Sequence, residues 1–337
     1  MHKQLLAVCF LILTLVAIST STAAQIPTWS STFSYQNNTY TYRMIGSNPG
    51  AGSATIQVPV MIVPIDIYYP GLSAFKVDTP FCGVGTSGLT TITNSPLFQA
   101  YPFYAAPSPF GGGQTFVGNT QYVDAFQRAN FWDKVSTVSP GYHVLFGPVN
   151  TYPPRNLNLL ASDATVSYAQ TSCGALPKLT LKDQSTIDNF IIGLLPALGT
   201  GSSTLNIFLV RNVAFNSGNL GGTHSTDGPN LPTYIKASIA DPGIFQAPFQ
   251  DVYMLAHELA EWVDDPYAPS NSTPTCAGMN ILEVGDPVNG TGMSIFANGF
   301  TYSLPDLVFL AGFSRGTTPN PASGGYTFFG VNPNPCH

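Results

Sequence analysis

The sequence predicts an α+β fold in which a twisted sheet supports a single functional helix, with long Gly/Pro-rich loops between the elements. Three observations lead there. β-Branched, mostly apolar runs at 55–69 and 205–215 read as buried strands, and 233–239 as a further, edge-like strand that feeds the last helix. Apolar residues recur at helical spacing over 120–135, 185–198 and 251–264. The parts also follow one another as helix, strand, loop, strand, helix and then a downstream acidic segment, which suits a sheet that feeds and backs the last helix.

Taken in order, residues 1–24 hold a short basic start, an apolar run from Leu5 to Ile18 and small residues up to Ala24. This is the pattern of a secretory signal peptide, too short for a mature membrane anchor. The expected organisation is a signal at 1–24 and one secreted domain at 25–337, extracellular or periplasmic. Residues 29–42 are rich in Ser, Thr, Tyr and Asn and read as an exposed strand or extended arm. In the run at 55–69, Pro59 and Pro64 argue for an edge strand or a strand broken in two. The stretch 80–118 reads as a long loop region, too apolar for a disordered linker. A strand is expected from Tyr142 to Leu145, with His143 as a core or hydrogen-bonding residue, and a Gly-rich loop at 218–228 carries His224.

Composition excludes several classes of partner. Removing the leader takes Lys3 from the 11 basic residues and leaves 10 against 17 acidic ones, a formal charge of 10 − 17 = −7. With 8% charged residues there is no basic footprint for nucleic acid or an anionic membrane, so neither is expected as a partner. The leader also removes Cys9, leaving Cys82, Cys173, Cys276 and Cys336, which in an exported chain suggest two disulfides. Three pairings are open, and the expected one joins Cys82 to Cys173 and Cys276 to Cys336. Asn37, Asn271 and Asn289 begin N-x-S/T sequons, meaningful only where exported proteins are glycosylated.

The informative stretch is the last helix together with the acidic segment after it. The chain has three glutamates, Glu258, Glu261 and Glu283, and all fall between residues 251 and 286. A chain that omits glutamate elsewhere is not using these three for solubility. Pro266 sets the end of the helix. His257 and Glu261 are one turn apart and share a face, while Glu258 is rotated about 100° away. His257 and Glu261 are therefore candidate metal ligands, with Glu283 or Asp286 as the third, and Glu258 as the general base acting on a bound water. Asp264 and Asp265 oppose the helix dipole at its C-terminal end, which suggests that they support the ligands. His224 reads as a turn residue or as a group that binds the transition state. A histidine with two carboxylates neutralises a divalent ion, so Mn²⁺ or Ca²⁺ becomes competitive, but the histidine makes Zn²⁺ the first expectation.

His257-Glu-Leu-Ala-Glu261 resembles the HExxH signature of the zincin metallopeptidases with its second histidine changed to glutamate. With Asp265-Pro266 and the later Glu283-Val-Gly-Asp286, the stretch is also similar to a group of secreted bacterial proteins and, distantly, to the plant EXORDIUM or phosphate-induced protein family. The zincin resemblance implies a zincin-like fold, metal at His257 and Glu261, and Glu258 as base. The expectation is a secreted metal-dependent hydrolase, a zinc peptidase acting on a peptide or protein substrate. The plant resemblance implies the alternative, a non-catalytic extracellular or wall-associated protein with a structural ion.

Overall fold

The computed structural model describes residues 25–106, 113–216, 221–226, 232–318, 320–331 and 335–336. The expected signal segment lies outside them. Strand Thr55–Tyr68 is the spine of a mixed α+β fold. It pairs in parallel with His143–Thr151 and then Arg155–Asn158 on one side and with Leu205–Arg211 on the other. Leu205–Arg211 pairs in parallel with Thr233–Ile239, whose far side carries Gly222–Thr226 as an antiparallel edge strand.

The expectation that prolines would put the first of these strands at an edge is corrected by this register. Pro59 coincides with a register shift between Val58 and Val60. Pro64 falls between the end of pairing with His143–Thr151 and the start of pairing with Arg155–Asn158. Each missing amide sits where the ladder is already interrupted, so a central strand tolerates both.

Side-chain alternation divides the sheet into two cores. Val58, Val60 and Ile62, with Leu205, Ile207, Leu209, Ile235, Ala237 and Ile239, face one core. Val63, Ile65 and Ile67, with Phe208, Val210 and Tyr234, face the other. Helix Ser185–Leu198 covers the second core through Ile187 and Ile191, as its apolar stripe predicts. Helices Tyr122–Asn130 and Tyr253–Asp264 cover the first. Among the described residues no helix is long and apolar enough to cross a membrane.

Several segments are more ordered than the sequence predicts. Residues 80–118 contain helix Gly88–Thr93 and most of the hairpin of Tyr101–Ala105 with Thr115–Thr120. The arm at 29–42 makes up most of a full hairpin, Thr28–Tyr35 with Asn38–Ile45. Cys276 and Cys336 form the expected bridge, closing 60 residues and tying the C-terminal segment to strand Ser272–Cys276. Cys82 and Cys173 do not: they are neighbouring free thiols, with Cys82 Sγ 3.6 Å from Thr171 Oγ1. The Cys82 thiol contacts this hydroxyl instead of forming a bond to the second sulfur. Asn271 is buried, accepts from the Arg43 amide and donates to Arg43 and Asp264 carbonyls, so this sequon is a structural amide.

Candidate metal centre

The helix Tyr253–Asp264 is unusual in what it buries. Every residue except Met254 is buried, including His257, Glu258, Glu261 and Asp264. A helix enclosed on all sides is normally apolar all round, because an ionised side chain moved out of water without a partner is strongly destabilising. These four side chains therefore need partners, and the surrounding elements provide them.

His257 and Glu261 meet Asp286 on one side of the helix. His257 Nε2 lies 3.0 Å from Glu261 Oε1 and 3.2 Å from Asp286 Oδ1. Glu258 and Glu261 meet the edge strand on the other. His224 Nδ1 lies 3.3 Å from Glu258 Oε2 and 3.8 Å from Glu261 Oε2, and His224 Nε2 lies 3.8 Å from Glu283 Oε2. All six residues singled out in the sequence thus converge. Two open points are resolved in position. His224 is on an edge strand rather than in a loop, with its own side chain buried, and Glu283 and Asp286 fall into separate groups that share Glu261 rather than stacking on one helical turn. Asp286 opens the short 3₁₀ turn Asp286–Val288, with Glu283 in the extended lead to it.

Three positions outside the motif make this approach possible. A Cβ on Gly222 would stand 2.6 Å from Glu258 Cγ, and one on Gly285 would stand 2.5 Å from His257 Nδ1. Only glycine lets the edge strand and the acidic loop come this near. Gly285 also donates its amide to Glu261 Oε1 at 3.2 Å. Tyr253, at the start of the helix, ties down the loop beyond Asp286: its hydroxyl accepts from Gly290 N and donates to the Thr291 carbonyl. The Gly221-Gly222 pair is visible in the sequence but reads as a turn, and Tyr253 gives no signal there at all.

The electrostatics are those of an acidic cluster, buried except for the partly exposed Asp286, whose ion pairs among the described residues come from His224 and His257. Burial, with the charges of Glu261 and Glu258, pushes the Glu283 carboxyl up to about 11. Burial also raises Glu258, offset in part by the hydrogen bond from His224. For His257 burial acts downward, but Glu261 and Asp286 hold it well above the ordinary imidazole value. At the helix end, burial raises Asp264 to about 8, despite a 2.6 Å hydrogen bond from Gln127. Asp265 instead accepts from the amides of Ser270 and Asn271, so of the two acids expected to support the ligands Asp265 anchors the following loop and Asp264 holds Gln127.

A cation fits this donor set. The two ligand-type groups are His257, Glu261 and Asp286, and His224, Glu261 and Glu283, each with donor atoms within 4.8 Å of one another. Mixed imidazole and carboxylate donors suit zinc or manganese. A buried carboxyl that takes up a proton at neutral pH marks a place where positive charge is wanted. The cluster lines a cavity of about 550 Å³, whose apolar walls include Phe245, Phe249 and Met254. Such a cavity with a few convergent polar groups is the usual form of a small-molecule or substrate site. No protein-family model, curated protein or solved structure matches the chain.

Proposed function

We propose that this protein is a secreted, metal-dependent hydrolase of the peptidase type, with a zincin-like placement of helix, sheet and downstream acid. The observation that carries the reading is the convergence of His257, Glu261 and Asp286 at the cavity wall, with Glu258 on the adjoining helix face. His257, Glu261 and Asp286 would hold a zinc ion, which would supply a Lewis acid to polarise a carbonyl and lower the pKa of a nearby water. Glu258 takes the proton from the attacking water and passes it to the leaving amine. Burial raises its proton affinity above that of an ordinary carboxylate, which favours its taking up the proton. His224 Nδ1, 3.3 Å from Glu258 Oε2, fixes the direction in which the carboxylate points.

A peptide substrate is favoured by the cavity's position. Among the described residues, edge strand Gly222–Thr226 pairs only with Thr233–Ile239, and Gly222, Thr223 and His224 line the cavity. An extended chain can hydrogen-bond to such an edge while its side chains rest on Phe245 and Phe249. Export is supported by the apolar run at 5–18 and by the Cys276–Cys336 bridge.

The test separates base from ligand. Glu258→Gln keeps the ligands and should retain zinc while turnover on a casein or peptide-library substrate falls by a factor of ~10²–10⁴. Glu261→Gln should lose the metal itself, read by elemental analysis. Equal loss of metal in both variants would refute the base assignment. Stoichiometric calcium in the wild type, without turnover, would favour the structural-ion alternative.

A further inference from the structure

Glu261 presents its two oxygens to different partners. Oε1 is 3.0 Å from His257 Nε2, beside Asp286, while Oε2 is 3.8 Å from His224 Nδ1, beside Glu283. We propose that the centre holds two divalent cations, one on His257 and Asp286 and one on His224 and Glu283, bridged by Glu261. The proposal rests on the hydrolase reading for the first cation and adds the second.

An acidic cluster alone would not carry this. The independent observation is His224 Nε2: the residue is 9% exposed, and this nitrogen makes no hydrogen bond although it faces Glu283 Oε2 at 3.8 Å. A buried imidazole nitrogen without a partner is destabilising unless something fills the gap. The gap is too long for a hydrogen bond, whereas an ion between two such donors sits about 2 Å from each. Charge agrees. Glu258, Glu261, Glu283 and Asp286 carry −4 when ionised; one divalent ion leaves −4 + 2 = −2 at a site where Asp286 alone is partly exposed, and two leave −4 + 4 = 0. Two ions bridged by a carboxylate, about 3.5–4 Å apart, form the arrangement in which one cation holds the attacking oxygen and the other the oxygen that accumulates charge.

Metal content per chain decides the matter. Protein loaded with zinc or manganese and desalted should hold two equivalents in the wild type and one in His224→Ala and in Glu283→Gln. Manganese-loaded wild type should also give the exchange-coupled paramagnetic resonance spectrum of a metal pair, a readout that does not depend on any variant folding. One equivalent in the wild type, with an isolated-ion spectrum, overturns the second cation and leaves the single-ion hydrolase intact. No metal overturns both. Two equivalents that persist in both variants overturn the assignment to His224 and Glu283.

Discussion

Two buried acidic regions of this molecule handle the same physical problem in different ways. Asp241, 2% exposed, receives the Arg211 guanidinium in a two-pronged contact, Nη2 to Oδ1 at 2.6 Å and Nε to Oδ2 at 3.1 Å. Its remaining acceptor capacity is filled by Asn212 Nδ2 and the Cys82 amide. Arg211 in turn reaches the Thr79 and Pro80 carbonyls and lies 4.8 Å from the Phe81 ring centre. This charge cluster carries its own cation and leaves little unsatisfied, so its role is to tie the loop at 79–82 to the ends of strands Leu205–Arg211 and Thr233–Ile239. At the Glu258, Glu261, Glu283 and Asp286 cluster the ion pairs come from histidines, one of which keeps an unpartnered nitrogen. Burial of carboxylates is therefore not by itself a functional sign. What marks the second region is an acidic surplus that the fold leaves unmatched.

Disrupting the matched pair should have the largest effect. Arg211→Met strands a buried carboxylate and should destabilise the protein by about 3–5 kcal/mol in denaturant unfolding. A change under ~1 kcal/mol would mean that Asp241 is no more dependent on its partner than the site carboxylates are.

A smaller effect comes from pH in metal-free protein. Burial raises Asp251 to about 7, Asp264 to about 8 and Glu283 to about 11, against ordinary values of 3.8, 3.8 and 4.5. Their folded forms bind the proton more tightly than the unfolded chain does. The resulting stabilisation is complete below about pH 4 and is lost as pH climbs through those folded values. His224 and His257, also held above 6.5, act in the same direction. The Tm in chelator should therefore fall between pH 5 and pH 9, by at least about 1.5 °C, the equivalent of ~1 kcal/mol in a domain of this size. A Tm that rises with pH would mean that these groups hold their protons less tightly in the folded protein than in the unfolded chain.

The smallest effect is the most discriminating in sign. Glu283 is already protonated at neutral pH without metal, so Glu283→Gln replaces one neutral group by another of similar shape. Metal-free Tm should move by no more than the equivalent of about 0.5 kcal/mol, while zinc uptake falls. A large loss of metal-free stability would place Glu283 with the structural charges.

Much of the molecule is legible in the sequence because it depends on local periodicity. The helix at 185–198 and the site helix, expected at 251–264 and found at Tyr253–Asp264, follow from apolar spacing and Pro266. The glutamates of the site follow from the census of that residue type, and His257 from its spacing to Glu261. The features that escape the sequence depend on partners distant in the chain. Pro59 and Pro64 are compatible with a central strand only because the neighbouring strands break where the amides are missing. Gly221-Gly222 carries a turn signal, yet the glycines serve close approach to Met254 and Glu258 on the site helix. The hairpin within 80–118 has weak alternation and a register shift between Phe103 and Tyr104, so no local pattern reveals it.

If the acidic region is completed by a cation from outside the chain, that cation must stabilise the fold. Thermal unfolding of chelator-treated protein, with and without added zinc, is the decisive measurement. Zinc at a hundredfold over its Kd should add about 2.7 kcal/mol to the folded state, raising Tm by roughly 4 °C, and Glu261→Gln should abolish the rise. A wild-type Tm unmoved by zinc, manganese or calcium would show that the cluster takes no cation.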